Sequence, residues 1–306
     1  MKQIFSFISL FSFISLFSLH IKEPLIITGN LEHKYSRINF VQDADGSKYM
    51  IKQCKDYQPL GLFDLVLDVF GAFIANKIGI NANNIKIIPA GAEYIGKETR
   101  LPATIHTIAP GELIKYTERF HRLHIHQKMW PKFSSRAKKI GLIEKNKRGL
   151  TKAIITNMAK HKDLPAIVAL DTFLGNTDRT NTNLFYCVET DTFCCIDFGD
   201  TCRINLCKYA IKFFKRLQAE PIQLSKRELS ALQIYRDTLE KISKTFTTKR
   251  LCKKMEEFAL EAEFFIHEHL YWNLPYQLHF YKTMLKNSYA DSQKLIDTID
   301  EYLEKD

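Results

Sequence analysis

The sequence predicts a bilobal α+β protein, with a small β-rich N-terminal lobe containing one main helix and a larger helical C-terminal lobe. Alternating apolar residues and turn signals dominate residues 24–55, whereas apolar residues at helical spacing dominate after Gly111. No polar linker separates the two patterns. We therefore expect two lobes joined by a short hinge, at residues 24–109 and 110–306, and not two independent domains.

The composition narrows the class of protein. With 45% hydrophobic and 25% charged residues in 306, the chain has enough apolar material for a core, which excludes a disordered chain or a collagen-like repeat. The net charge of +10 favours acidic or phosphate-bearing partners. Its seven cysteines include no CxxC pair, so reduced thiols are expected and not a zinc ribbon.

The N-terminal lobe is predicted to begin with three strands. Residues 25–27 form a β-rich run, and Thr28-Gly29-Asn30 is typical of a turn after it. The β-rich runs 37–41 and 48–52 flank Asp45-Gly46, a strong hairpin signal. The hairpin should therefore place residues 48–52 inside a sheet.

A buried helix and two further strands complete this lobe. Residues 62–78 are apolar on most sides, and Gly79 is a plausible helix stop. Residues 85–88 and 104–108 have strand character, and Ala109-Pro110-Gly111 ends the pattern.

The rest of the chain is predicted to be mostly helical. A short strand pair is expected within it, at residues 183–187 and 192–196 around a polar turn. Helical spacing occurs in six stretches: 112–127, 149–161, 164–175, 226–244, 248–270 and 290–304.

Three polar residues surround the predicted strand pair at a spacing that suits phosphoryl transfer from ATP. Asn183 follows Asp178 by five residues, and Asp197 opens an Asp-Phe-Gly triplet 19 residues after Asp178. One carboxylate can position an acceptor hydroxyl, while a second carboxylate and a neutral amide can hold divalent metal beside the phosphates. Asp178 is the catalytic candidate, and Asn183 and Asp197 are the metal-binding candidates. The alternative is a β-hairpin flanked by ordinary polar turns.

A lysine and a helical carboxylate upstream fit the same chemistry. Tyr49-Met50-Ile51-Lys52 places Lys52 on a strand, where it can bind the ATP phosphates. Asp64 and Asp68 lie on one face of the apolar helix 62–78, and a carboxylate in such a helix requires a cationic partner. We expect Asp68, which is deeper in the helix, to orient Lys52.

Two further segments complete the nucleotide-binding prediction. Backbone N–H groups of Thr28, Gly29 and Asn30 are candidates to cover the phosphates, although one glycine is a weak signal. Residues 104–109, which include His106 and Ile108, are expected to form the hinge that meets adenine through backbone groups.

The stretch LGNTDRTNTNLF, taken with IDFG, resembles the catalytic segment of the HipA-like kinases and is also similar to that of type II phosphatidylinositol 4-kinases. The resemblance implies a protein-kinase-like fold, ATP with Mg²⁺ or Mn²⁺, and transfer of the γ-phosphate to a hydroxyl. It assigns Asp178 as the catalytic aspartate, Asn183 and Asp197 as metal ligands and Lys52 as the ATP lysine. The sequence departs from these families at Thr180, where a histidine often follows Asp-Arg, and no Ala-Pro-Glu follows the Asp-Phe-Gly triplet.

The acceptor is predicted to be a protein Ser/Thr hydroxyl, with a phosphoinositide or inositol phosphate as the alternative. Residues 128–162 contain eleven Lys or Arg and one acid, Glu144, so an anionic lipid head group, an inositol polyphosphate or an acidic peptide could bind there. Trp130 and Phe133 lie among these basic residues, so the stretch could associate with a membrane. The alternative is that the basic residues form a solvated helical face. Nucleic acid is not expected. A third hypothesis is a catalytically inactive kinase fold that serves as a binding module.

Residues 1–22 are expected to be a hydrophobic signal or anchor-like segment. Residues 4–19 contain FSFISL twice and carry no charge, but are shorter than the roughly 20 residues of a full membrane span. The alternatives are an amphiphilic targeting segment and a start codon assigned too far upstream. The sequence does not decide the cellular compartment.

Overall fold

The computed structural model describes residues 21, 24–32, 36–54, 59–88, 93–94, 97–98, 101–117, 119–120, 154–219, 222–263 and 274–304. It shows an N-terminal antiparallel sheet followed by a helical C-terminal part, which confirms the predicted α+β class. The hydrophobic segment 4–19 and most of the basic stretch 128–162 lie outside the described residues. Among those that are described, no helix is both long and apolar enough to cross a membrane.

The N-terminal sheet has the strand order β1-β2-β3-β7-β4, and all its neighbouring strands are antiparallel. Lys52 lies within this sheet, opposite Ile38 on β2 and Thr104 on β7. The strands are β1 (Ile26–Glu32), β2 (Ser36–Gln42), β3 (Lys48–Cys54), β4 (Ile85–Ile88), a separate pair β5 (Glu93–Tyr94) and β6 (Lys97–Glu98), and β7 (Ala103–Thr107).

The predicted hairpin is confirmed, and the predicted turn at residues 28–30 is wrong. Gly46 has φ +83° in the hairpin turn, and the Asp43 carboxylate accepts the Ser47 N–H at 2.8 Å. Strand β1 instead continues through Thr28, Gly29 and Asn30, with a register irregularity at this point. Thr28 is the extra residue at this irregularity, and Gly29 after it pairs with Phe40, so the glycine does not end the strand.

Helix α1 (Pro59–Lys77) corresponds to the helix predicted at 62–78, and Gly79 after it has φ +82°. The helix approaches the segment after Asp197 very closely, because a Cβ on Gly71 would lie 2.4 Å from the Phe198 side chain. Its apolar residues form one core with the C-terminal helices. The helix therefore lies between the N-terminal sheet and the remainder of the protein.

The C-terminal part combines helices with a small antiparallel sheet in the order β10-β9-β8. Its strands are β8 (Glu112–Leu113), β9 (Leu184–Cys187) and β10 (Thr192–Cys195). The helices are α2 (Leu164–Leu174), α3 (Leu206–Ala219), α4 (Lys226–Thr245), α5 (Thr248–Glu263) and α6 (Leu274–Leu303).

The helix expected at 112–127 is wrong at its start, where β8 and a 3-10 turn at Ile114–Tyr116 replace it. Gly111 has φ +87°, and a Cβ at this position would lie 2.1 Å from the Tyr186 carbonyl oxygen. The chain therefore passes very close to β9 and continues beside it as an edge strand. Residues 121–127 lie outside the described part of the chain. Helix α3 was not predicted, and α6 begins at Leu274 and not at 290.

Helix α2 positions the loop with the candidate catalytic residue. The helix is almost entirely buried and ends at Gly175, whose φ is +65°. A Cβ at this glycine would lie 1.9 Å from the Ile204 carbonyl oxygen, so a larger residue does not fit. The loop 176–183 therefore starts from a fixed point in the core.

Candidate active site

Three elements bring one lysine and two carboxylates together. The Nζ of Lys52 on β3 lies 3.4 Å from Oδ2 of Asp68 on α1 and 3.0 Å from Oδ1 of Asp197, two residues after β10. Burial lowers the pKa of Lys52, but attraction to Asp197 and Asp68 outweighs this and raises it well above its ordinary value. The ammonium is thus charged at any physiological pH and available to a phosphate.

Asp68 also links α1 to the backbone beside Asp197. Its Oδ1 accepts the Phe198 N–H at 2.8 Å, and its side chain is only 1% exposed. One buried carboxylate therefore fixes both the lysine and the segment after β10. The structure places Asp68 where the sequence predicted the residue that orients Lys52.

The loop 176–183 folds so that Asn183 returns to Asp178. Nδ2 of Asn183 donates to the backbone carbonyl oxygen of Asp178 at 2.7 Å and to the carboxylate Oδ2 of Asp178 at 3.3 Å. Asp178 N–H donates to Oδ1 of Asn176 at 3.0 Å, and Asn176 in turn donates to Asp171. Because Nδ2 is used within the loop, the amide oxygen of Asn183, which accepts the Thr182 hydroxyl at 3.4 Å, is the atom that could act as a ligand.

The backbone joins this loop to Asp197. The Ile196 N–H donates to the Asn183 carbonyl oxygen at 3.2 Å, so the two predicted metal ligands lie on adjacent backbone segments. Asp197 has φ +56°, a left-handed conformation that costs a residue other than glycine about 1 kcal/mol. Attraction to Lys52 outweighs burial and lowers the pKa of the Asp197 carboxyl, which keeps it ionised.

Arg179 organises the candidate site, and the sequence analysis did not identify it. Its guanidinium is fully buried, pairs with Asp171 through Nε and Nη2 at 3.2 Å each, and stacks over the Phe198 ring at 4.5 Å. Nη1 donates to the carbonyl oxygens of Asn183, at 2.8 Å, and of Ile196. Arg179 therefore holds the segments that carry the two predicted metal ligands in one arrangement.

The donor set fits Mg²⁺ or Mn²⁺. Carboxylate and amide oxygens are hard ligands, and Mg²⁺ in nucleotide sites binds one or two carboxylates plus substrate phosphates. The described residues contain no cluster of three or more His, Cys, Asp or Glu side chains able to hold a metal by themselves. If Asn183 and Asp197 held a metal, a bound nucleotide could supply further ligand oxygens.

Apolar side chains that the sequence analysis missed share the face of the sheet that carries Lys52. Strand pairing places Ile38 opposite Lys52, Phe40 opposite Met50 and Leu31 opposite Ile38. Leu31 and Phe40 are 53% and 39% exposed. A flat apolar ring, such as a purine, could stack on this surface.

The residues predicted to contact the nucleotide differ in their position in the sheet and in their exposure to solvent. Thr28, Gly29 and Asn30 lie on the edge strand β1, and Ile108 is 45% exposed immediately after β7. His106 is 1% exposed, so its side chain is part of the interior. Backbone contacts of these residues with a nucleotide stay a prediction.

His106 belongs to a buried polar chain that ends at the lysine strand. Its Nδ1 lies 3.0 Å from Nδ2 of Asn83 and its Nε2 lies 2.7 Å from the Thr104 hydroxyl, which reaches the Lys52 carbonyl oxygen. These contacts suit a neutral ring protonated on Nε2. Burial lowers the pKa of His106 to about 4.

Replacing His106 with glutamine is expected to reduce the acid sensitivity of the fold. Below pH 6.5, the pKa of an unfolded histidine, the unfolded chain binds a proton at this ring that the native state does not bind. The free energy of unfolding therefore falls by about 1.4 kcal/mol per pH unit, down to about pH 4. Urea unfolding of the His106→Gln variant at pH 7, 5.5 and 4.5 should show a shallower loss than the unmodified protein. The exposed His279→Gln is the control. Equal slopes for all three proteins would contradict this expectation.

No family model matches the sequence, and no curated protein matches it. Several solved structures are similar to this chain. The chain is similar to the Helicobacter pylori proinflammatory kinase CtkA, with 11% identity over 92% of this chain and 96% of that one and a TM-score of 0.47. An aminoglycoside phosphotransferase from Alicyclobacillus acidocaldarius has 11% identity, 91% and 93% coverage and a TM-score of 0.32. A Plasmodium vivax ethanolamine kinase has 12% identity, 89% and 82% coverage and a TM-score of 0.31. At these values no activity or substrate carries over, and the function is inferred from the site's geometry.

Proposed function

We propose that the protein is an ATP-dependent phosphotransferase of atypical, HipA-like kinase type. The observation that carries the proposal is the position of Lys52 Nζ, 3.4 Å from Asp68 and 3.0 Å from Asp197, beside a loop that fixes Asp178 and Asn183. A lysine held between two carboxylates and an Asp/Asn loop nearby is the set that positions a triphosphate for transfer.

Each side chain then has a distinct role. Lys52 binds the α- and β-phosphates, and Asp68 keeps its ammonium directed at them. Asn183 and Asp197 would hold Mg²⁺ or Mn²⁺, which when bound neutralises charge on the β- and γ-phosphates. Asp178 aligns the acceptor hydroxyl and can take its proton. The apolar surface formed by Leu31, Ile38, Phe40 and Met50 would accept the base.

The acceptor we favour is a protein Ser/Thr hydroxyl, and the resemblance to HipA-like kinases is what supports it. A phosphoinositide or inositol phosphate is the alternative, supported by the basic residues 128–162 and the net charge of +10. An inactive binding module fits less well, because Asp178, Asn183 and Asp197 are all present with Lys52.

Incubation with γ-labelled ATP and Mn²⁺ tests the proposal. We expect label on protein, either the chain itself or an added Ser/Thr substrate, and a rise in Tm that requires both nucleotide and metal. Lys52→Met should lose most of both responses, since it removes the phosphate-binding charge. Label in phosphoinositide but not in protein would identify the lipid acceptor. Absence of transfer together with no nucleotide-dependent shift would overturn the phosphotransferase proposal.

A further inference from the structure

Asp64 and Asp68 lie one turn apart on α1 but face different cations. Nη2 of Arg203 lies 2.7 Å from Oδ1 of Asp64 and 3.0 Å from Oδ1 of Asp200. Arg203 and Asp200 belong to the segment that follows Asp197 in the chain. The ion bridge therefore ties α1 to the segment that carries a predicted metal ligand.

The bridge at Asp64 can affect Lys52 because Asp64 and Asp68 are four residues apart and project from the same face of α1. Asp68 reaches Lys52 Nζ at 3.4 Å and the Phe198 N–H at 2.8 Å from its fixed place on α1. A shift of α1 that separates Asp64 from Arg203 would also carry Asp68 away from Lys52. The nitrogen Nη2 of Arg203 carries two N–H groups and lies close to both carboxylates.

The bridge lies where the helix and the segment after Asp197 approach each other closely. A Cβ at Gly199 would lie 3.4 Å from the Asp64 carbonyl oxygen, so the two backbones approach closely. Burial raises the pKa of Asp64 to about 6, although Arg203 and Lys52 lower it. Arg203 and Asp64 are 43% and 36% exposed, so substitutions there should not disrupt the core.

Apolar packing also holds α1, on another side of the helix. Val66 and Val69 share a cluster with Ala259 and Ala262 of α5, and the Phe63 ring lies 5.0 Å from that of Tyr281 on α6. If this packing alone fixed the helix, loss of the bridge would change nothing at Lys52. The two possibilities predict different behaviour of the same variant.

We propose that Arg203 is a positioning residue for the Lys52–Asp68 pair and acts through Asp64. Its kinetic consequence rests on the proposed phosphotransferase function, whereas its effect on α1 does not. Without the bridge, Asp68 spends less time at Lys52, so ATP binds less well, while a complex that has formed reacts at nearly the normal rate.

Steady-state kinetics with Arg203→Gln provide the first test. We expect the KM for ATP to rise about two- to fivefold, the scale of an accessible ion bridge, with kcat changed by less than about twofold. The matched control is Arg236→Gln, which removes an arginine bound to Glu240 and Asp300 between α4 and α6. Its KM should match the unmodified protein. The double variant Asp64→Arg with Arg203→Asp reverses the charges and should recover most of the KM lost by either single change.

Hydrogen exchange of the α1 amides, measured without nucleotide, tests the positioning directly. Exchange across α1 should be faster in Arg203→Gln than in the unmodified protein, and unchanged in Arg236→Gln. Equal exchange in Arg203→Gln and the unmodified protein would overturn the role of Arg203. If the unmodified protein neither binds nor turns over ATP, the proposed function fails, and α1 exchange still decides the role of Arg203.

Discussion

Replacing Asp178 with asparagine is expected to abolish most phosphate transfer while the protein still binds Mn²⁺-ATP. Loss of a positioned general base lowers a rate by about 10²- to 10⁴-fold. Binding should survive, because Asn183 keeps its 2.7 Å hydrogen bond to the residue 178 carbonyl oxygen, which the substitution leaves in place. Single-turnover rates and the nucleotide-dependent rise in Tm measure the two effects separately.

Asp197→Asn supplies the contrasting variant. It removes a negative charge from the predicted metal site and from Lys52, which lies 3.0 Å away, so the metal-dependent rise in Tm should disappear together with turnover. If Asp178→Asn turned over normally, the role assigned to Asp178 would be wrong. If both variants lost binding equally, the separation of acceptor and metal roles would fail.

Replacing Arg179 with methionine is expected to cost about 3–5 kcal/mol of the free energy of unfolding, the range for removing one partner of a buried ion pair. The change leaves the Asp171 carboxylate, itself fully buried, without its cation. It also removes the donor to the carbonyl oxygens of Asn183 and Ile196. Urea unfolding monitored by circular dichroism gives the loss.

Two further variants make the Arg179 result interpretable. Arg179→Lys keeps the charge but not the forked donor geometry, so it should fold with an intermediate stability and a weakened metal-dependent rise in Tm. Arg236→Met removes an arginine from a partly exposed ion-pair network and should cost no more than about 1 kcal/mol. A loss for Arg179→Met as small as that of Arg236→Met would show that the buried pair does not organise the site.

The sequence predicts well the features that depend on neighbouring residues. The turn at Asp45-Gly46, the strand at Lys52 and the buried helix with Asp68 each carry a local signal, and each is observed. The signal at Thr28-Gly29-Asn30 was misleading, because the strand absorbs an extra residue at Thr28 and continues through the glycine. The stretch after Gly111 has helical spacing, but its first residues pair with β9 instead.

The candidate site shows the same limit. Motif spacing located Asp178, Asn183 and Asp197, but nothing local shows that Arg179 is buried, because its partners lie at residues 171, 183 and 196. Likewise, the helical period placed Asp64 and Asp68 on one face without showing which cation each would meet. Those partners come from distant parts of the chain and become apparent only once the chain has folded.

Strand β1 has a practical consequence for handling the protein. It is the first strand of its sheet, with no neighbour on one side among the described residues, and Ile26, Ile27 and Leu31 on it are 62%, 48% and 53% exposed. An apolar edge strand is a template for aggregation. Pairing of Ile27 with Val41 places it on the face away from Lys52, so a lysine at position 27 should improve solubility at high concentration without altering the surface proposed for the base.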